Sequence, residues 1–579
     1  MTTVMNKLNM PYCFQMQKHL LLSLFLLSPW VVLAQDGDKL DTISIEIVKE
    51  YAPTISDAYK KKNNPKEADS IDFSTPIDYQ IKPRQIKTGF ELEPVPPARI
   101  KGEPLIKLYK SYVKAGFGTQ GRLYGEAFMN QLRSKKSSMG IHAMHNASKG
   151  NVADVGYSGY SNSRVNAYGK RFLRKHTLSG GLDFKNRVVH NYGYDPTDTI
   201  NGIILADLDE TLLKDSTRQR YTLLSGNARL LSHYRDSFQI NHDIRMSHFN
   251  LSDQDGLSEN NFMASVHLTR YLNQEFVNVM VKVDHNETKR FTNTDTTNMY
   301  SNTLITIGPT ISTDGPKYRF VVGVNGVIDI NGNKGSEYRF YPNVYFSYKL
   351  INDVLIGFSG IEGTKKRNHI RSFSKENPFI SNDLELQNSD HAIAFYGGFK
   401  GEMSSSSSFK VSLRREKVNE APFFVNDYRG MGNGFTVVYD DIKYTNFHGE
   451  VSLYQRDELR VLASGDYYVY QMDLVDKPWH TPQLEVAVSG MYNLREKIVA
   501  KAEIFAFSSQ YAMELNEQGE ETAIELKGTV DVNAGLEYRY TKRLSLFLQL
   551  NNIAALEYNK WNKYPTQRFN LLGGLTYVF

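Results

Sequence analysis

The chain has 579 residues, a formal net charge of +5, 36 Tyr and 31 Phe against 3 Trp, and a single cysteine. So small a charge excess makes no case for nucleic acid, whose readers concentrate Lys and Arg in stripes. The lone thiol, Cys13, precedes the apolar run Leu20 to Leu33 and leaves with it on cleavage, which excludes disulfides, thiolate metal sites and a cysteine nucleophile from the mature chain.

Residues 1–34 read as a secretory signal peptide. Lys18 and His19 precede the apolar stretch, and Val32-Leu33-Ala34 before Gln35 is a small-residue cleavage site. Beyond Ala34 there is no apolar stretch of about 18 residues, so a helical membrane protein is excluded and any span must be made of strands. The segment 35–108 carries Pro53, Pro65, Pro76, Pro83, Pro94, Pro96, Pro97 and Pro104. Proline removes amide donors and favours extended backbone. An irregular arm is expected here, able to thread a bore or reach into the periplasm.

From Tyr109 to Phe579 the chain is a succession of segments of about ten to fifteen residues that are apolar at every second position. Phe262, Ala264, Val266 and Leu268 face one way; so do Val277, Val279, Val281 and Val283, Val530 to Tyr540 at even positions, and Leu544, Leu546, Leu548 and Leu550. The opposite positions hold Lys282, Asp284, Asp531, Glu537 and Arg539, as a wet interior requires. Connections are by turns short, as at Phe172 to Lys175, Tyr271 to Glu275, Gln455 to Glu458 and Thr541 to Arg543, and long, as at Val188 to Gln219, Lys365 to Ser389, Lys417 to Lys443 and Met472 to Pro482. Outer-membrane barrels alternate short periplasmic turns with long external loops. The fold class is therefore all-β: a transmembrane antiparallel up-and-down barrel of about 22 strands, in the cell outer membrane, with both ends in the periplasm. That parity requires Phe435 to Asp441 to belong to an external loop.

No Ser, His and Asp set can be placed together, so no enzyme is expected and no catalytic residue is assigned. His142 and His145, three apart on a strand, face opposite ways and make no metal pair. Neither a metal nor a cofactor is expected. The external loops offer Phe423, Phe424, Tyr428, Arg429 and Trp479 as contact residues for protein or sugar, or as a lid packed on itself.

The run Leu544 to Ile553, with Tyr558, Tyr564-Pro565 and the ending Arg568 to Phe579, resembles the C-terminal end of TonB-dependent receptor barrels. The resemblance implies solute uptake across the outer membrane. It also implies a C-terminal assembly signal, Gly574, Tyr577 and Phe579, read by the barrel-assembly machinery. Asp41, Thr42, Ile43, Ser44 and Ile45 resemble a TonB box, the strand that pairs with the energising protein by β-addition. Two features depart from the family: segment 35–108 is shorter than a folded plug domain, and Leu572 stands where the assembly signal has a polar residue. The missing plug favours another reading, a non-transporting barrel that scaffolds an outer-membrane assembly or secretion complex through its N-terminal arm and loops. Expected partners are outer-membrane lipid, the assembly machinery and TonB or other envelope proteins.

Overall fold

Segments apolar at every second residue and joined by tight turns pair with their chain neighbours, because a hairpin closes the shortest loop. The computed structural model describes residues 110–579 apart from short stretches within the connections. The signal peptide, the arm 35–108 and the TonB-box-like Asp41 to Ile45 lie outside the described residues. Twenty-two strands make one antiparallel sheet, running from Ser111–Gly118 to Asn570–Val578, and the last strand pairs with the first. Gly116 lies opposite Gly574 and Val113 opposite Tyr577, so the sheet closes into a barrel with no free edge. The amides of Lys110 and Ser111 both donate to the carbonyl of Phe579, which puts the start and end of the barrel chain at one rim.

At that rim the connections are short, as between Phe172 and His176 or Ser404 and Ser407. At the other rim they include residues 191–217, 367–388, 473–483, 508–528 and 552–569. The expected rhythm therefore holds, and the short-turn rim is the periplasmic one. Phe262, Val281, Leu536, Leu546, Leu575 and Tyr577 lie exposed on the outer wall. Met263, Lys282 and Asp284, from alternate positions, line the inside.

One expectation is corrected. Phe435 to Asp441 is not loop but the outer part of the strand Gly434–Gln455, with Phe435 to Asp440 paired to Asn426 to Ala421 of the strand Ser407–Asp427. The count survives because the segment prolongs a strand instead of adding one. These two strands have 22 and 21 residues, about twice what a bilayer crossing needs, so their outer halves stand above the membrane. Aromatic and β-branched residues on both arms stabilise that projection by cross-strand packing.

Candidate functional site

The connection 367–388 holds six apolar residues that a solvated loop would not carry: Ile370, Phe373, Phe379, Ile380, Leu384 and Leu386, all buried. Burying each is worth roughly 1.5–3 kcal/mol, enough to draw the loop inward over the mouth. Its first part is the helix Ile370–Glu376, started by a reciprocal cap in which His369 accepts from the Ser372 amide and the Ser372 hydroxyl accepts from the His369 amide. Ile370 and Phe373 share its buried face. The Asn377 side chain then accepts from the Phe379 amide and turns the chain. Phe379 and Ser381 bond to both sides of Phe435, adding a short parallel strand to the tall hairpin.

These residues form one apolar core with Tyr221, Leu223, Phe249 and Leu251 from one wall, Phe424, Phe435 and Val437 from another, and Trp561 and Tyr564 from the final loop. The strands carrying Tyr221 and Phe435 are the sixth and sixteenth of 22, almost opposite each other round the ring, so this core crosses the external mouth. Phe379 stacks on Tyr564 with centroids 3.8 Å apart, and Tyr192 meets the same ring edge-on at 4.9 Å. The Tyr564 hydroxyl donates to the carbonyl of Asn433, and the Asn433 amide donates to the carbonyl of Asn191. Loops from three parts of the barrel are thereby tied into one roof.

The connection 367–388 forms a strap across the mouth, and both of its ends are clamped to the inner wall. The Arg367 guanidinium, buried, reaches Asp284 Oδ1 at 2.8 Å and Asn302 Oδ1 at 2.6 Å. At the other end Asn388 donates to the same Asn302 oxygen and to Asp329, each at 3.1 Å. Between them the fully buried Glu259 accepts from the amides of Ile370 and Arg371 at 3.0 and 2.9 Å, as well as from Asn286 and Thr288. A carboxylate on the first amides of a helix is favourable through both the free N–H groups and the dipole.

A second anchor is His480, in the connection 473–483. Its Nε2 accepts from the Asn562 amide at 3.1 Å, so its Nδ1 carries the proton and donates to the carbonyl of Phe424 at 2.9 Å. Burial among Phe435 and Trp561 pushes its pKa down to about 4. The ring is neutral in this arrangement, and both of its nitrogens are used.

Beneath the strap lies a cavity of about 870 Å³. Its wall carries Lys282, Asp284, Arg414 and Glu416, with Lys366 and Arg371 above them. Arg414 bridges Glu362 and Glu416 at 2.7 Å each. Lys366 and Arg371 make no ion pair among the described residues; Arg371 lies over the ring of Phe249, 4.4 Å from its centre. The pocket is polar and keeps a surplus of positive charge.

Of the loop residues singled out from the sequence, Phe423, Phe424 and Trp479 are buried in the roof and present no open contact surface. Phe424 belongs to the main core, Phe423 and Trp479 to a neighbouring cluster with Val425 and Met513. Tyr428 donates to the Met513 carbonyl at 3.1 Å. Only Arg429 is exposed, and it is paired with Asp427 and Asp383. Gly574 and Tyr577 sit on the closing strand, with Phe579 just beyond its end. Glu259, Arg367 and His480 were not legible as anchors, although six apolar residues in a supposed loop were a sign that it is buried.

The barrel is similar in fold to the FrpB iron transporter from Neisseria meningitidis (TM-score 0.63, 12% identity, 82% of each chain covered). It is similar too to the pyoverdine outer membrane receptor FpvA from Pseudomonas aeruginosa (TM-score 0.60, 11% identity, 82% of this chain and 79% of that). A third is the ferric-catecholate import receptor Fiu from E. coli (TM-score 0.59, 12% identity, 82% of each). No protein-family model and no curated protein sequence matches the chain. The likeness is one of fold: a closed 22-strand antiparallel barrel shared with these outer-membrane proteins.

Proposed function

We propose that this barrel takes up a polar solute across the outer membrane, the solute passing the loop-built roof into the vestibule beneath it, with Asp41 to Ile45 as the strand offered to TonB. The observation that carries this reading is the roof itself, an apolar core bridging nearly opposite walls over a charged pocket of about 870 Å³. A bore of this width needs a barrier against small solutes, and a clamped strap of 367–388 supplies one that can be displaced. Deleting residues 369–387 should convert a silent barrel into one with large conductance steps in a planar bilayer. A deletion variant as silent as the parent would count against the strap as gate. Removing Asp41 to Ile47 should abolish energised uptake while leaving the barrel folded; undiminished uptake would remove TonB from the proposal.

The same roof also favours a second reading, a sealed barrel that scaffolds an outer-membrane assembly or secretion complex. Isolation in mild detergent separates the two. A scaffold brings stable protein partners with it, whereas a transporter comes largely alone.

A further inference from the structure

We propose that the periplasmic rim, on either side of the seam where the barrel closes, is a docking surface for anionic phospholipid of the membrane's inner leaflet. On one side of the seam the turns carry Lys135, Lys136, Arg174 and Lys175; on the other they carry Lys497 and Lys542. All six are exposed, and none forms an ion pair among the described residues. The Lys175 ammonium lies over an aromatic face, 5.7 Å from the centre of the Tyr234 ring.

Backbone hydrogen bonds make these turns one continuous arc. Phe172 donates to Lys136, Asn130 to Lys110, Lys110 to Phe579, Val578 to Arg543, and Arg539 to Lys497. These turns carry one acid, Glu496, flanked by Arg495 and Lys497, whereas elsewhere on this rim acids stand against the cations turn by turn, as Asp314 does against Arg319 at 3.5 Å. The unbalanced charge is therefore local to the seam.

The depth of the arc says what meets it. Tyr492, Tyr538, Tyr540, Tyr577 and Phe579 are exposed at this same rim, close to the cationic turns. Aromatic side chains on a barrel wall collect at the level of lipid headgroups. Cations placed there face lipid phosphates, and long Lys and Arg stems reach them by snorkelling. An acidic phospholipid adds a net negative charge that a zwitterionic one lacks, which gives the arc a basis for selection.

The test uses the full mature protein in phosphatidylcholine vesicles containing trace spin-labelled phosphatidylglycerol or spin-labelled phosphatidylcholine. The motionally restricted fraction should favour phosphatidylglycerol at low salt by at least about fivefold, the effect of one interfacial cation. The ratio should fall towards one as salt rises and in a variant carrying Lys135→Gln, Lys136→Gln, Arg174→Gln, Lys175→Gln, Lys497→Gln and Lys542→Gln. A ratio of one in the parent protein, or a variant that keeps the parent's ratio, overturns the proposal. So does a parent that binds an acidic periplasmic protein yet does not discriminate between the two lipids. If the sixfold variant fails to show heat-modifiable mobility, the salt titration of the parent and a variant limited to Lys497→Gln and Lys542→Gln decide the matter.

Discussion

His480 shows how one side chain couples the roof to pH. Its Nε2 must accept from Asn562 while its Nδ1 donates to Phe424, so a second proton breaks one bond and places a charge among aromatic rings. The folded pKa, about 4, lies below the free value of 6.5. A depressed histidine pKa means that the unfolded or loosened state takes up the proton first. Stability of the roof is therefore complete above about pH 6.5, declines as pH falls through that value and levels off below about 4, a loss on the order of 3 kcal/mol. Trp479 and Trp561 adjoin His480, and the third tryptophan, Trp30, lies in the segment 1–34 expected from the sequence to be cleaved, so a chain beginning at Gln35 has tryptophan emission from the roof alone. Emission should shift to the red between pH 6.5 and 4 while barrel strand content stays constant. His480→Gln should flatten that profile; a variant with the parent's profile would assign the transition to another group.

Among the elements, the closing strand and the strap depend on different physics. The closing strand is specified locally, by Phe569, Leu571, Gly573, Leu575 and Tyr577 on one face, and it has one demanding position. A Cβ built on Gly574 would come within 2.1 Å of the Ala115 carbonyl oxygen and 2.6 Å of Gly116 Cα, because the first and last strands approach closely at the seam. Gly574→Val should therefore hinder closure, seen as loss of the compact, heat-modifiable band on a semi-native gel. Recovery of that band at parental yield would show that the seam can spread. The strap, by contrast, is held by groups distant in sequence. Arg367 meets Asp284 and Asn302, and Ile370 meets Glu259; none of these pairings has a local signature.

The whole molecule inverts the usual soluble arrangement, with apolar residues on the outer wall and charged ones lining the lumen. Phe117, Leu182, Phe340 and Leu575 are among its exposed large apolar side chains. A belt of this kind far exceeds the apolar patches of soluble monomers, and water cannot replace lipid around it. Withdrawal of amphiphile should drive the purified protein into aggregates within the time of a size-exclusion run. A monodisperse peak in plain buffer would refute the lipid-embedded barrel and every functional reading built on it.

The strand count, the side each strand turns to lipid and the shared rim of the barrel's first and last strands were all legible in the sequence. Side-chain alternation and turn length are properties of neighbouring residues, and a hairpin ladder needs little else. Phe435 to Asp441 was misread because a strand continuing past the membrane keeps its alternation but loses the turn that marks its end. The roof was hidden for a deeper reason. Phe379 stacking on Tyr564, Asn433 reaching Asn191 and His480 bridging Phe424 to Asn562 join residues far apart in the chain. Such contacts exist only once the closed cylinder has brought opposite walls within reach, so the covered mouth and the charged vestibule below it were decided by the tertiary structure alone.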